Sequence, residues 1–405
     1  MNDKQPIFSL GENKLTTNYE SILDLGLQPW GNDFLKKENI GQENTYPLHL
    51  VYCNDSELLQ LNHFVKKETM FLKHTYVTTP SLLKDFYKIA EENILQYSLN
   101  PENDKILDIG GNDGSQLLQY RKLGFNKIIN FESAKNIAEL SNKNQVYCIN
   151  NFFNLTNVKS TLKEKSIKLI NASGVFFHLE ELDSVIKGIN YCLSDDGIFV
   201  VQFMYAGTMI DNLNFDTIYH EHLCYYTVNS IIKLLEKYDI HIQDAYFTEL
   251  HSGSIVAKFR KYKAEKTERC INLIEKDKKY NLESFKEFSK KIESKRYDLK
   301  NLLTKLKSEN KKIYGYGAPV KGNTLMNYME INNSLIDKLV EINTLKVGLY
   351  TPGSHIPVEL ENSNDLPDYY LLLSHNFVNE ILLKNTNIRQ KGVKFIIPFP
   401  EIQII

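Results

Sequence analysis

The stretch of this chain densest in groups that could do chemistry is Phe215–Tyr226, FDTIYHEHLCYY. Its twelve residues hold two carboxylates (Asp216, Glu221), two imidazoles (His220, His222) and three phenols (Tyr219, Tyr225, Tyr226). An imidazole beside a carboxylate is the arrangement that keeps a base ready for proton transfer near neutral pH. Two other readings of the same residues stand beside that one. A surface loop would merely solvate its histidines. An extended segment would put His220 and His222 on one face, as metal ligands are often set, although no second Cys/His cluster with ligand spacing accompanies them. What decides is the fold that carries the stretch.

That fold is most readable at Lys105-Ile-Leu-Asp-Ile-Gly-Gly-Asn-Asp-Gly-Ser-Gln-Leu-Leu118. A short apolar strand meets a glycine-rich turn and a helix start, and a second strand, Lys127–Phe131, ends at Glu132. Gly110, Gly111 and Gly114 allow a nucleoside to approach the backbone, and the acidic residue closing the second strand is placed for ribose hydroxyls. The carboxylate of Asp113 inside the turn would repel a pyrophosphate, so a cationic, phosphate-free nucleoside suits it better. A Rossmann-like fold with another ligand, or none, is the alternative. Strands at Ser166–Ser173 and Ile198–Phe203 continue the sheet. His178 falls just past the first of them, where open α/β sheets bind ligands, although a lone histidine there can equally be a packing or capping residue. The YHEH stretch follows the next strand, over the expected pocket, and this position favours the functional reading.

At 405 residues the chain divides into more than one domain. Residues 1–78 read as a small lead domain of short strands, in which Tyr76 lies in a Thr-rich loop that would by itself suggest an exposed aromatic. Residues 79–262 form the nucleoside-binding core. Residues 263–311 are Lys/Glu-rich with Leu282, Phe285, Phe288 and Ile292 at helical spacing, an amphipathic linker with a solvated outer face. Residues 312–405 open on KIYGYGAPVKGNTLM, where Gly315, Gly317 and Gly322 make a loose dinucleotide-like turn. The fold class is α/β: a doubly wound Rossmann-like sheet flanked by a small N-terminal domain and a C-terminal α/β domain. A formal charge of −2 gives no general pull towards nucleic acid or anionic lipid. No apolar run approaches the roughly eighteen residues of a membrane helix, and MNDKQPIFSLGENK has no apolar leader segment. Five scattered cysteines (Cys53, Cys148, Cys192, Cys224, Cys270) without a CxxC fit free thiols in a reducing cytoplasm.

In order, LGLQPWGNDFL (25–35), YPLHLVYCNDSELLQL (46–61), DIGGNDG, FDTIYHEHLCYY, HSGS (251–254), YGYGAPVKGNT (314–324) and PGSHIPV (352–358) resemble the sugar C-methyltransferase family over essentially the whole chain. DIGGNDG resembles motif I of class I S-adenosylmethionine-dependent methyltransferases. The resemblance implies S-adenosylmethionine held by Asp108, Gly110, Asn112, Gly114 and Glu132. It implies a nucleotide-linked 4-keto-6-deoxysugar methylated on a carbon next to its ketone. The general base then falls on His222 with Glu221 beside it, and Tyr219, His178 and Tyr76 contact the sugar or shape the pocket. His220, His251, Lys321 and Asn323 are expected to bind substrate, and no metal takes part. Three departures accompany the likeness. The family's lead domain binds zinc through two cysteine pairs, of which Cys53 alone remains, with Ser56 in its partner's place, so no structural zinc is expected. Gln202 stands where the family more often has Glu, and HSGS replaces HGGS. A sugar O-methyltransferase or a non-catalytic sugar-nucleotide binder would share much of this pattern. The expected protein is cytoplasmic, touches neither nucleic acid nor membrane, and is compatible with a monomer.

Overall fold

The computed structural model describes residues 4–72, 77–250 and 253–405, with Asn376 described by its backbone alone. At the start of the chain, β1 (Ile7–Ser9) and β2 (Lys14–Thr16) pair as a hairpin. β3 (Tyr19–Pro29), β4 (Thr45–Cys53) and β5 (Leu58–Leu61) form an antiparallel meander. From Leu50 to Cys53, β4 is buried on both faces. One face joins the main core, while Ile7 and Tyr19 pack over Val51 and Cys53 on the other.

Burial pushes the Cys53 thiol up to about 11, which disfavours the thiolate a metal needs. Ser56 is buried against Gly11, so its position is filled by packing. Among the described residues, no three His, Cys, Asp or Glu side chains gather as a metal site. The donor set here does not fit a structural zinc.

After α1 (Lys67–Phe71), α2 (Leu83–Tyr97) leads into the central sheet. Its elements run β6 (Ile106–Ile109), α3 (Ser115–Lys122), β7 (Ile128–Phe131), α4 (Lys135–Lys143), β8 (Cys148–Ile149), α5 (Leu155–Thr161), β9 (Ile167–Ser173), α6 (Leu182–Cys192) and β10 (Leu193–Met204). They continue through α7 (Ala206–Asp211), β11 (Cys224–Tyr225), α8 (Val228–Glu236), β12 (His241–Thr248) and β13 (Ser254–Arg260). The seven strands lie in the order β12-β13-β10-β9-β6-β7-β8. The β10-to-β8 pairings are parallel, and β13 enters antiparallel to β10. This is the doubly wound sheet expected from the sequence. Ser194–Gly197, legible as a turn, is instead a bulge in β10: Leu193 pairs with Ile167 and pairing resumes at Ile198.

β11 does not join that sheet. It pairs with β5, Cys224 opposite Gln60 and Tyr225 opposite Leu59, as the fourth strand of the N-terminal sheet.

α9 (Glu268–Asp277) and the 27-residue α10 (Leu282–Ser308) follow. Asn281 caps α10 in a reciprocal box with Ser284. Its buried stripe includes Phe285, Phe288 and Ile292, as their spacing implies, and continues through Leu299, Leu303 and Leu306. Phe285 meets Tyr52 of β4 at 5.5 Å between ring centres. On the far side, Arg296 and Lys300 pair with Glu330, and Lys307 with Asp337. The helix thus touches both neighbouring sheets.

The last region alternates β14 (Ile313–Tyr316), α11 (Val320–Tyr328), β15 (Lys338–Glu341), β16 (Val358–Leu360), β17 (Tyr369–Leu372), α12 (Val378–Lys384), α13 (Thr386–Gln390), β18 (Lys394–Ile397) and β19 (Gln403–Ile404). Its sheet order, β16-β15-β14-β17-β18-β19, is parallel except at β19. One hydrophobic cluster contains side chains from all three larger sheets and from α10. Among the described residues, no helix is long and apolar enough to cross a membrane.

Zinc measured on the purified protein is expected far below one ion per chain. A strong chelator should leave the melting temperature unchanged. A fall on chelation would mean that a metal, not packing, holds the N-terminal sheet.

Candidate active site

A loop as polar as residues 215–226 can be buried only if its groups find partners. Here Asp216, His220, Glu221 and His222 are all buried. Backbone bonds fix the loop: Leu61 N–H donates to Leu223 O, Leu223 N–H to Phe177 O, and Ala206 N–H to Tyr226 O. The segment is not extended. A turn at His220–Glu221 sends the two histidines to different places, which removes the shared face a metal would need.

His222 Nδ1 lies 2.9 Å from the carbonyl oxygen of Thr217. A carbonyl can only accept, so Nδ1 carries the proton and the neutral ring keeps its basic lone pair on Nε2. His178, in the short helical turn after β9, makes the same kind of bond from Nδ1 to the Glu221 carbonyl at 2.5 Å. The two rings stand 5.1 Å apart, with Tyr219 tilted over His222 at 3.9 Å and Phe177 edge-on at 4.7 Å. Glu221 Oε1 accepts two bonds from the loop after β3, from Trp30 Nε1 at 2.8 Å and Asn32 Nδ2 at 2.5 Å.

Asp216 is met by the C-terminal region, its Oδ2 lying 2.8 Å from His375 Nε2. Burial pushes this carboxyl up, but His375 and Lys321 outweigh it and leave the group below its ordinary value. His220 turns to the N-terminal sheet, where Nε2 faces the Tyr46 carbonyl at 3.4 Å and the ring sits edge-on to Tyr46. Burial holds this imidazole down at about 4.

His222, Glu221, Tyr219 and His178 border one cavity of about 1010 Å³. Asp108, Gly110, Gly111, Asn112 and Glu132, from the turn after β6 and the residue after β7, line it as well. These residues fit a nucleoside cofactor. Asp108 Oδ2 is buried without a hydrogen bond among the described residues, and burial, then Glu132, push its carboxyl well above the usual range. Gly110 has φ +61°, and a Cβ there would lie 2.6 Å from Val175 Cγ2, so only glycine permits the close approach.

Other expectations are corrected. His220 does not reach the cavity, because its ring faces Tyr46. Asn323 does not reach it either: its Nδ2 donates to Gly31 O at 2.7 Å and so braces the N-terminal loop. Gly114 (φ +84°) packs against Val146 and Ser141 as the residue preceding α3, shaping the turn without lining the cavity. Lys321 does line the cavity. Tyr76 and His251 lie outside the described residues. Gln202 is buried in β10 with neither amide atom hydrogen-bonded among the described residues, a place where a neutral amide costs less than a carboxylate. Sequence reasoning missed Trp30, Asn32, Lys346 and Phe377, which also line the cavity. The signal for the first two was there: the chain's single tryptophan, followed by Gly-Asn at the end of a strand.

Three family models match successive parts of the chain. They are described as a zinc binding domain over residues 15–71, a methyltransferase domain over 83–244, and a C-methyltransferase C-terminal domain over 249–400. The first span contains one cysteine, Cys53. C-methyltransferase NovU from Streptomyces niveus is 26% identical over 395 residues, covering 95% of this chain and 94% of that protein. Among solved structures, a SAM-dependent methyltransferase from Aquifex aeolicus aligns with 45% of this chain and 93% of its own, at 15% identity and a TM-score of 0.35. One from Thermotoga maritima aligns with 44% and 91%, at 14% identity and a TM-score of 0.35.

The buried His220 has a signature in stability. Below about pH 6.5 the unfolded chain takes up a proton at this ring, whereas the folded chain resists until about 4. Its contribution is therefore flat above 6.5 and falls as pH drops through that window, by roughly 3 kcal/mol at most. His220→Asn is expected to flatten the acid limb of melting temperature against pH. An unaltered limb would rule this ring out as its source.

Proposed function

The chain belongs to the S-adenosylmethionine-dependent C-methyltransferases, and on that premise we propose that it methylates a carbon next to the ketone of a nucleotide-linked 4-keto-6-deoxysugar. The observation that carries the reading is the His222 bond to Thr217 O. It makes Nε2 the basic atom of the neutral ring, and His222 lines the cavity that Asp108, Gly110, Asn112 and Glu132 also line.

A proton next to a ketone is acidic enough to remove only if the enolate oxygen is stabilised, so a base and an oxygen-directed donor must act together. His222 Nε2 takes the proton. The electron pair of the broken C–H bond moves into the enolate. Tyr219, whose ring flanks His222 and whose hydroxyl can donate, is the proposed partner of the developing oxyanion, with His178 and Tyr76 as further contacts to the sugar. Glu221, next in sequence, is the counter-charge to the imidazolium that forms. When bound beside Asp108, S-adenosylmethionine supplies the electrophilic methyl that the nucleophilic carbon takes. Asp108, Gly110, Asn112 and Glu132 are the residues that would hold it, with Gly114 shaping their turn.

The nucleotide is assigned to the residues that the C-terminal region brings to the cavity. Lys321 and Lys346 border it, with Asn343 and the half-exposed ring of Phe377. Burial holds both ammonium groups below their usual range, with Asp216 and Glu341 respectively offsetting part of the effect. An arriving diphosphate would favour the charged form of both.

The reading is tested with methyl-carbon-13 S-adenosylmethionine and a set of nucleotide 4-keto-6-deoxysugars, followed by proton–carbon NMR. A labelled methyl at the shift of carbon-bound CH₃ is expected, whereas a methoxy shift would make the protein an O-methyltransferase. No transfer despite S-adenosylmethionine binding would overturn the substrate class. His222→Asn is expected to lower turnover by about a hundredfold or more while cofactor affinity stays near wild type. Retained turnover would remove His222 as the base.

A further inference from the structure

Trp30 and Asn32 lie in the loop after β3, far in sequence from the YHEH loop, yet both donate to its Glu221 side chain. The indole N–H of Trp30 and the amide of Asn32 both donate to the same oxygen, Oε1 of Glu221. Hydrogen bonds to a carboxylate are among the stronger ones, and two on one oxygen fix the side chain's direction. Both donors are half-buried and border the cavity beside Glu221.

The loop is braced from behind by the C-terminal region. Asn323 of α11 donates to Gly31 O. Leu35 and Tyr350 exchange backbone hydrogen bonds at 2.8 Å in both directions. Glu43 Oε1 accepts from Gly353 N–H at 3.0 Å and faces His355 Nε2 at 2.5 Å. Gly31 allows the approach, since a Cβ there would lie 2.9 Å from Val320 Cγ1.

We propose that Trp30 and Asn32 are positioning residues for the methyl-transfer site, aiming the Glu221 carboxylate, and that Asn323 holds them in place through Gly31. The inference rests on the reading of Glu221 as part of that site. It gives the N-terminal sheet a catalytic purpose beyond capping: its loop sets the direction of a carboxylate supplied by the central region. The same turn of α11 also presents Lys321 to the cavity, so one short segment serves both the cavity and the brace.

Trp30 is the chain's single tryptophan, so its fluorescence reports this clamp without any turnover. Glu221→Gln and Asn323→Ala are expected to shift the emission and to make the indole more open to acrylamide quenching. Unchanged emission and quenching in Glu221→Gln would overturn the proposal, whatever the enzyme's substrate. In the transfer assay, Trp30→Phe keeps an aromatic ring but loses the N–H, and is expected to lower kcat by about tenfold to a hundredfold. Cofactor affinity and melting temperature should stay near wild type. If Trp30→Phe does not fold, Asn32→Ala carries the same test. The double variant Trp30→Phe/Glu221→Gln should be no slower than Glu221→Gln alone, because both changes act through one carboxylate. Additive losses would give Trp30 an independent role and overturn the proposal. A wild-type protein inactive on every keto-sugar would count against the substrate reading and leave the fluorescence result to decide the clamp.

Discussion

Burying two carboxylates and two imidazoles in one loop is costly unless each is paired, and nearly everything about this architecture follows from where the partners come from. The central region supplies the loop and the backbone and His178 contacts that hold it, but not the side-chain partners of its two carboxylates. The N-terminal segment supplies the two donors to Glu221 and the carbonyl facing His220. The C-terminal region supplies His375 for Asp216. The loop also ends as a strand of the N-terminal sheet, so its backbone hydrogen bonds are completed outside the central sheet.

That arrangement explains why the reactive groups are ordered. The Thr217 carbonyl sets the tautomer of His222, and the Glu221 carbonyl engages His178. Both imidazoles are therefore controlled by the backbone of the same loop. Whatever shifts the loop shifts both rings together, and the side-chain partners at Asp216 and Glu221 are its anchors. One cavity is lined by these rings, by the glycine turn after β6 and by two lysines of the C-terminal region.

The strand–turn–helix start at Lys105–Leu118 was readable because its determinants are neighbours in sequence: an apolar strand, glycines, then helix formers. The amphipathic stripe of α10 was readable for the same reason. The YHEH stretch stood out by composition alone. What stayed hidden was the matching of distant groups. Trp30 and Glu221 are 191 positions apart, and Asp216 and His375 are 159 apart, and no local pattern connects them. His220 and His222 share a face only in an extended segment, and the turn between them reverses that. Asn323 sits in a turn whose neighbour Lys321 reaches the cavity, yet one helical step is enough to direct it at Gly31 instead.

Three family models tile this chain as three pieces, and as sequence matches they are separable. As units of stability they are not, because a single apolar cluster runs through all of them and α10 packs its buried stripe into it. Recombination between relatives therefore faces an uneven landscape. A crossover that replaced the first segment alone would have to bring a tryptophan or an equivalent donor to a carboxylate inherited from another parent. It would also have to bring an edge strand that accepts a foreign β11. The exchanges that conserve the site are those that move the segments as a set, so the chain's modular sequence matches and its mechanical indivisibility pull against each other.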